Sequence, residues 1–435
     1  MTNNTESGNN YYKCDVLIIG AGPAGAALAV FLSGTGLDII LIDKKSHIEE
    51  PVRCAEYVPA AFTGIFDFKL KGIDNEIEKL QTFINIKPYR ASIKELNSAR
   101  STNCSKNNLS DIYPDAGLSS CRTKTEMLLN PLPGNLAPAS EIRAPGYIIE
   151  RKTMIRDWIA RFVNSGGRYL PSAKAFKISG SQVKALKEGE KIIIKAQIIA
   201  GADGPVSLAA KYAGCSCTHF LAGLNLKYKN PDAGPACRST KVFFLPEIKG
   251  GYAWVFPGQK FTNYGLGLDL GLFCRNKKKP GVQKRLFEKI FKNVLKNTED
   301  NNLGKNNLNP MCGRTKLSSG LIPVSGIATN PVYKNIVLVG DAAGLCNPVT
   351  GAGIYNAVCS ARIAAKYILE AAAGKGTPAL QQIRKEYNDY FKGSLDRALA
   401  KRKEISSGWK SQKTPAQFER FVRATWVAFR QYWQI

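Results

Sequence analysis

Three glycines near the start of the chain have a spacing that favours a phosphate-bearing ligand. Gly20, Gly22 and Gly25 follow an apolar run, and a predicted helix begins at Ala24. Gly20 permits a tight turn, Gly22 lets phosphates approach the backbone, and Gly25 lets the helix pack close to a sheet. The pattern predicts a β-strand that turns into a helix whose first amides face a pyrophosphate.

A predicted second strand, residues 38–43, ends at Asp43. The acid lies about 20 residues after the glycines, where a carboxylate accepts hydrogen bonds from an adenosine ribose. The alternative is a βαβ unit with glycine-rich turns and no ligand.

Two later segments repeat the pattern of a buried strand that ends in glycine and aspartate. The first leads into Asp203 and Gly204, where the carboxylate suits a ribose or a reducing nucleotide. The second ends at Gly340 and Asp341, where the carboxylate suits the hydroxyls of a ribityl chain.

A predicted helix near Gly353 and Ile354 follows the third element, after Pro348 and Gly351. The positive end of that helix would stabilise negative charge on a reduced flavin. The order of the three elements resembles the flavoprotein hydroxylase fold. The resemblance implies non-covalent FAD and a nicotinamide donor without a dinucleotide fold of its own, and it places Arg151 near the flavin.

The segment from Tyr252 to Pro257 alternates aromatic residues, so that Tyr252, Trp254 and Phe256 project from one strand face. Such a row is compatible with an ordinary core. With Gly265 and Gly267 downstream, the segment looks like the YxWxFP and GxGxG pair of the geranylgeranyl reductase family, which saturates isoprenoid double bonds. The resemblance implies that Tyr252, Trp254, Phe256 and Pro257 line an apolar tunnel for a prenyl chain.

The segment containing Arg53, Cys54 and Glu56 is similar to the part of that family that carries a cysteine beside the flavin. An isolated alkene accepts hydride poorly, so a general acid must protonate one carbon. Cys54 and Tyr252 are the candidate acids, and Glu56 is a candidate orienting group or acid. The alternatives are that Cys54 is a small buried residue and that Tyr252 is a structural strand residue.

The length of 435 residues and the 39 glycines suit a globular α/β enzyme. The wide spacing of the three motifs predicts a Rossmann-like FAD-binding domain interleaved with an α+β second domain built on an antiparallel sheet. The FAD-binding segments are 11–60, 145–215 and 330–375. The substrate domain takes 61–144 and 216–329, and a helical region takes 376–435.

The formal net charge of +27 favours an anionic partner. Basic residues concentrate in 275–296 and 392–430, without the aromatic pattern of a nucleic-acid-binding protein, so no nucleic acid is expected. The eleven cysteines form no regular framework and predict reduced cytoplasmic thiols, and the two histidines are too isolated for a metal site. No secretory signal or spanning apolar run is visible, which favours a cytoplasmic protein.

The end of the chain, residues 415–433, predicts a basic amphipathic helix. Its apolar stripe consists of Phe418, Phe421, Val422, Trp426, Phe429 and Trp433. One interpretation is peripheral contact with an anionic membrane. The other is packing against the second domain or a partner subunit.

Together the motifs predict an FAD-dependent oxidoreductase that reduces C=C bonds of an isoprenoid lipid with electrons from NAD(P)H or reduced ferredoxin. The main alternative is an aromatic or polyketide hydroxylase on the same fold. An electron-transfer flavoprotein is disfavoured because no cysteine cluster suits an iron–sulfur centre. A basic nucleic-acid-binding protein would explain the charge but not the aromatic strand.

Overall fold

The computed structural model describes residues 10–48, 54–84, 137–230, 237–273 and 317–434. Arg53 and the basic segment 275–296 lie outside the described residues. The strands, in chain order, are β1 (Tyr11–Ile19), β2 (Ile39–Ile42), β3 (Tyr57–Pro59), β4 (Ile73–Ile84), β5 (Ser140–Ile149), β6 (Arg168–Leu170), β7 (Ala173–Ser179), β8 (Gln182–Lys187), β9 (Glu190–Gly201), β10 (Phe220–Lys229), β11 (Ser239–Phe244), β12 (Tyr252–Pro257), β13 (Phe261–Asp269), β14 (Leu317–Pro323), β15 (Val332–Tyr333) and β16 (Ile336–Leu338).

The helices connect and cover these strands. They are α1 (Pro23–Phe31), α2 (Arg151–Asn164), α3 (Leu208–Tyr212), α4 (Leu270–Phe273), α5 (Ile354–Glu370), α6 (Gly376–Gly408), α7 (Pro415–Thr425) and α8 (Arg430–Trp433). Short 3₁₀ turns occupy Ala60–Ile65, Gly340–Ala343 and Trp409–Ser411, and a π-helical turn, Ala371–Lys375, joins α5 to α6.

The first sheet has the order β15-β16-β9-β1-β2-β6, and β7 and β8 extend it beside β9. β1 pairs in parallel with both β2 and β9. All four residues of β2 are buried, as expected for a parallel strand covered on both faces. α1 packs against α2 and α5 on this sheet, which brings the glycine turn after β1 close to the end of β16.

The second sheet has the order β14-β10-β13-β12-β11-β4-β5-β3. Its pairings are antiparallel except where β4 runs parallel to β11. Residues 57–59 and 146–149 pair in this sheet, although the sequence placed them in the FAD-binding segments. The domain boundaries themselves stay a prediction. The α/β class, with a predominantly antiparallel second sheet and a C-terminal helical region, is confirmed.

The C-terminal stripe packs inside the protein. Phe418, Val422, Trp426 and Phe429 are each at most 5% exposed and belong to one buried cluster that includes aromatic residues of the second sheet. Within it, Trp426 packs on Phe244 and Tyr252. The predicted single helix is interrupted because Trp426 adopts an extended conformation after α7. The structure therefore agrees with packing against the second domain. No helix within the described residues is both long enough and apolar enough to cross a bilayer.

Candidate active site

The glycine turn after β1 is closed towards the protein and open on one side. Gly20 has a φ of +104°, and a Cβ there would lie 2.4 Å from the carbonyl oxygen of Ala202. A Cβ on Gly25 would lie 1.8 Å from the carbonyl oxygen of Gly20. A Cβ on Gly22 would meet nothing within 4 Å. The two close approaches require glycine, and the open position at Gly22, the residue before α1, fits an approaching pyrophosphate.

Asp43 anchors this turn. Its Oδ2 accepts a hydrogen bond of 2.7 Å from the amide of Ala21, and its Oδ1 accepts one of 2.8 Å from the amide of Lys45. The acid at the end of β2 is thus joined to the glycine turn. Its contact with a ribose stays a prediction.

The carboxylate of Asp203 caps the short helix α3. It accepts hydrogen bonds from Ser207 Oγ at 2.5 Å and from the amide of Leu208 at 2.6 Å. Gly204 has a φ of +82°, and a Cβ there would meet nothing within 4 Å. These bonds give Asp203 a structural task, and the predicted contact of Asp203 and Gly204 with a nucleotide stays a prediction.

The third motif lies against the first. A Cβ on Gly340, whose φ is +60°, would lie 2.8 Å from the Cβ of Ala24 in α1. The next residue, Asp341, places its Oδ1 3.1 Å from the position of a Cβ on Gly353. Burial raises the pKa of Asp341 to about 6, and the positive charge of Arg151 opposes that shift. A buried carboxyl with a raised pKa is typical of a ligand site.

Residues 345–353 connect the third motif to α5 and are called the flavin loop below, because the sequence motifs predict that they lie beside a flavin. Asn347 organises the loop, since its Oδ1 accepts hydrogen bonds of 3.0 Å from the amides of Val349 and Thr350. Gly351 has a φ of +67° and Gly353 precedes α5, which begins at Ile354. The backbone amides at the start of a helix attract negative charge.

Cys54, Glu56 and Arg151 form one connected group beside Asp341. The amide of Glu56 donates to the sulfur of Cys54 at 3.3 Å, and Glu56 Oε1 accepts a hydrogen bond of 2.9 Å from the amide of Arg151. Glu56 Oε2 forms an ion pair with Lys227 on β10. Glu56 is 2% exposed and has a φ of +64°, so its partners hold it in a conformation that is costly for a side chain larger than glycine.

The charges of this group act on its acids. Burial raises the pKa of the Cys54 thiol, and the charge and hydrogen bond of Arg151 oppose the shift. Burial also raises the pKa of Glu56, against the attraction of Lys227. Burial raises the pKa of Tyr252 as well. Arg151 is thus a direct cationic partner for the ionised form of Cys54, as Lys227 is for that of Glu56.

The predicted aromatic row is present on β12. The ring centroids of Tyr252 and Trp254 lie 6.0 Å apart, and those of Trp254 and Phe256 lie 6.4 Å apart. A Cβ on Gly265, opposite on β13, would lie 2.1 Å from the indole ring of Trp254, so glycine makes room for that ring. Pro257 ends the strand. Trp426 packs on Tyr252 with a centroid distance of 4.9 Å.

Tyr252 joins the aromatic row to the flavin loop, because its hydroxyl donates a hydrogen bond of 2.5 Å to the carbonyl oxygen of Thr350. Asn263 makes a second connection across the site. It donates to the carbonyl oxygen of Cys54 at 2.9 Å and accepts from the indole nitrogen of Trp254 at 3.0 Å. The side chain of Asn263 therefore bridges the predicted row and the cysteine segment.

The structure brings the predicted residues of the first and third motifs, the cysteine segment and β12 into one region. Asp203 is turned towards its own helix, and Arg53 is outside the described residues. Sequence reasoning missed Asn347 and Asn263. Their signal is weak, since both are single amides in segments whose recognisable pattern consists of glycines, prolines or aromatic residues.

The chain is similar to several known proteins that bind FAD or are named for its chemistry. A family model described as an FAD binding domain matches residues 13–58, the segment with the glycine turn, Asp43 and Cys54. A solved structure of a geranylgeranyl bacteriochlorophyll reductase-like protein from Thermoplasma acidophilum is 19% identical with a TM-score of 0.66, over 96% of this chain and 97% of that one. A probable FAD-dependent monooxygenase from Pseudomonas aeruginosa is 13% identical with a TM-score of 0.56, over 94% and 99%. The fold and the site thus define an FAD-dependent oxidoreductase.

Curated relatives narrow the class. The digeranylgeranylglycerophospholipid reductase of Methanothrix thermoacetophila is 26% identical over 408 residues, which cover 89% of this chain and 86% of the relative. The enzyme of that name from Methanocaldococcus jannaschii is 28% identical over 360 residues, covering 79% and 74%. The predicted resemblance to geranylgeranyl reductases is confirmed.

Proposed function

We propose that this protein reduces isolated C=C bonds in the prenyl chains of an isoprenoid lipid. The observation that carries the proposal is the hydrogen bond between Tyr252 and Thr350, which fixes an apolar aromatic strand directly beside the flavin loop. An alkene chain needs a large non-polar surface and few polar partners. The reductases to which the chain is similar carry the name of such a lipid.

Tyr252, Trp254, Phe256 and Pro257 form the substrate surface in this proposal. The side chains of Tyr252, Trp254 and Phe256 lie on one face of β12, and Pro257 ends the strand. Asn263 connects this row to Cys54. A prenyl chain lying along the row would present a double bond to the region between Cys54 and the flavin loop. Contact with Trp426, which packs on Tyr252, would end the row at the C-terminal segment.

The reaction adds a hydride to one alkene carbon and a proton to its neighbour. Reduced FAD, when bound, supplies the hydride. The chain supplies the proton, and we assign it to the sulfur of Cys54. Arg151 beside that sulfur favours the thiolate that remains after proton donation. A proton from solvent then restores the thiol.

Tyr252 is the second candidate acid and is less suited. Its hydroxyl proton is already donated to the carbonyl oxygen of Thr350. Glu56 is an orienting group in this mechanism. One carboxylate oxygen accepts a hydrogen bond from the amide of Arg151, and the other forms an ion pair with Lys227. The carboxylate therefore joins the start of α2 to β10 of the second sheet.

A lipid substrate also implies contact with a membrane surface. Exposed cations near the C-terminus would supply this contact, since the apolar stripe of α7 is buried. They are Lys410, Lys413, Arg420 and Arg430.

The electrons for the reduction would come from NAD(P)H or reduced ferredoxin. Oxidation of each donor by the FAD-loaded protein tests the two directly.

The decisive experiment is anaerobic. Dithionite-reduced protein is incubated with a geranylgeranyl-bearing lipid, and the products are analysed by mass spectrometry. Each saturated double bond adds two hydrogens to the lipid mass. A hydroxylase would instead oxidise NAD(P)H with equal consumption of oxygen and would leave the lipid unchanged without air. Absence of saturation with a reduced, correctly folded protein would overturn the proposal.

A further inference from the structure

Arg402 of α6 is a buried cation that none of the sequence motifs includes. It is 2% exposed, and its nitrogens reach two different parts of the site. Its Nε donates to the carbonyl oxygen of Pro348 at 2.8 Å, within the flavin loop, and its Nη1 donates to that of Gly250 at 2.6 Å, in the turn before β12. One side chain thus joins the two segments that must face each other across the site.

Asp269 at the end of β13 makes this buried charge tolerable. Its Oδ2 lies 3.7 Å from Nη1 of Arg402, and it is itself fully buried. Burial opposes ionisation of Asp269, but hydrogen bonds from His219 and Ser406 prevail and hold its pKa at about 2. The carboxylate is therefore charged at neutral pH and neutralises Arg402, which a buried guanidinium requires.

The direction of the donors is what requires arginine. Two main-chain carbonyls from segments about 100 residues apart in sequence (348 and 250) accept from one planar group, which a lysine ammonium on a flexible stem cannot orient in the same way. Tyr252, two residues after Gly250, bonds to Thr350, two residues after Pro348. The Arg402 and Tyr252 contacts therefore act on the same loop, and they join it to β12 and to the turn that precedes β12.

We infer that Arg402 is a positioning residue: it fixes the flavin loop against β12, and in this way sets the affinity for FAD and the placement of its ring beside the aromatic row. Arg402 acts through the loop and has no part in proton transfer. The inference concerns FAD and holds whatever alkene or other substrate the protein reduces. A failure to reduce isoprenoid lipids would leave it intact.

The test uses the full chain freed of FAD, in three variants. Arg402→Met removes both hydrogen bonds at similar volume, Arg402→Lys keeps the charge, and Lys403→Met changes an exposed cation of the same helix. FAD is titrated into each protein and followed by flavin fluorescence, and melting temperatures are measured without FAD. We expect Arg402→Met to weaken FAD binding by about tenfold or more, because two charge-assisted bonds to carbonyls are lost. Arg402→Lys should restore part of the affinity, and Lys403→Met should bind like the parent.

The visible spectrum of bound FAD gives a second readout, since a displaced loop changes the surroundings of the ring. We expect a shifted spectrum for Arg402→Met and a parental spectrum for Lys403→Met. Combination with Tyr252→Phe should give a non-additive loss of FAD affinity, because both residues hold one loop. If the methionine variant does not fold, Arg402→Gln replaces it in every comparison. Parental FAD affinity and spectrum in the folded Arg402 variants, with only a lower melting temperature, would overturn the inference.

Discussion

The hydroxyl oxygen of Tyr252 lies 2.5 Å from the main-chain carbonyl oxygen of Thr350. Through this bond the aromatic strand of the second sheet is tied to the loop that follows the third flavin motif. The bond thus joins β12 of the second sheet to the loop that leads into α5. Tyr252 has two candidate roles, which are to anchor the loop and to donate a proton to the substrate. Loss of its hydroxyl would lower the reaction rate by very different factors in the two cases.

Replacement of Tyr252 by phenylalanine separates these tasks. The variant keeps the ring packed on Trp426 and removes the hydroxyl. One lost neutral hydrogen bond is worth about 1 kcal/mol, so we expect FAD affinity to fall by about fivefold. We expect the rate of alkene reduction with reduced protein to fall by less than about tenfold, whereas loss of a general acid would cost about 10²-fold or more. A fall of about 10²-fold or more in the reduction rate would identify Tyr252, and not Cys54, as the proton donor.

Replacement of Cys54 by alanine should give the opposite pattern. The thiol lies beside Arg151, and its loss removes the assigned proton donor. We expect the reduction rate to fall by about 10²- to 10⁴-fold while FAD still binds and still turns from yellow to colourless on reduction. The rate is measured anaerobically by lipid mass spectrometry. Cys215→Ala, at a half-buried cysteine bonded to Asn330, serves as the control and should behave like the parent.

Glycine substitutions in the first motif should separate folding from ligand binding. The Cβ of Gly25→Ala would lie 1.8 Å from a backbone oxygen, so we expect a loss of about 3 kcal/mol or more in the free energy of unfolding. The Cβ of Gly22→Ala meets no protein atom within 4 Å, so the FAD-free variant should melt at the parental temperature. It should nevertheless bind FAD at least about tenfold more weakly, because the pyrophosphate must approach that position. If folded Gly22→Ala binds FAD with the parental affinity, the pyrophosphate does not lie beside Gly22.

The sequence alone was sufficient where the requirement is local. The close approach at Gly25 arises from Gly20 within the same strand-turn-helix unit, so glycine spacing reveals it. The alternation of Tyr252, Trp254 and Phe256 also follows from the strand period of two. In each case the interacting residues lie only a few positions apart, and the pattern is readable without knowledge of the tertiary fold.

The remaining contacts of the site join residues that are distant in sequence. Asn263 bonds to Cys54 across 209 residues, and Arg402 bonds to Gly250 across 152. Such pairs are set by how the two sheets and α6 assemble, and a single asparagine or arginine carries no periodic signal. Asp203 is a different case, because its motif is visible in the sequence but its contacts are not. Its carboxylate accepts hydrogen bonds from Ser207 and Leu208 at the start of α3.

Asp341 should make the stability of the FAD-free protein depend on pH. Its pKa rises from 3.8 to about 6 on folding, so the protonated form stabilises the protein below about pH 4, and this contribution is lost as the pH rises through about 6. Asp341→Asn removes the loss. We expect the FAD-free variant to match the parent near pH 4 and to be more stable at pH 7.5, by at most about 3 kcal/mol. Denaturation curves at the two pH values check this.

The same variant should bind FAD more weakly, since an amide cannot accept hydroxyl hydrogen bonds as a carboxylate does. A gain in stability without FAD, together with a loss of FAD affinity, is typical of a residue kept for its ligand. If the stability of the parent and that of Asp341→Asn depend on pH in the same way, folding does not raise the pKa of Asp341 and the prediction is wrong.

Trp426 should contribute to stability and not to membrane binding. Its indole packs against Tyr252 and Phe244, with centroid distances of 4.9 and 5.0 Å, and donates a hydrogen bond of 3.1 Å to the buried Thr82. Trp426→Ala leaves a cavity in this cluster, so we expect the free energy of unfolding to fall by about 3–5 kcal/mol. Urea denaturation measures the change.

Trp433→Ala is the matched control at the other end of the stripe. Its side chain is 54% exposed, so its loss should cost less than about 1 kcal/mol. Both tryptophan variants should bind anionic vesicles like the parent if exposed cations carry that contact. Removal of charge by Arg420→Gln together with Arg430→Gln should weaken vesicle binding and make the remaining binding less sensitive to salt. Loss of vesicle binding in Trp426→Ala at unchanged stability would contradict the packed position of the stripe, because a residue that holds the second sheet cannot be released to lipid without cost.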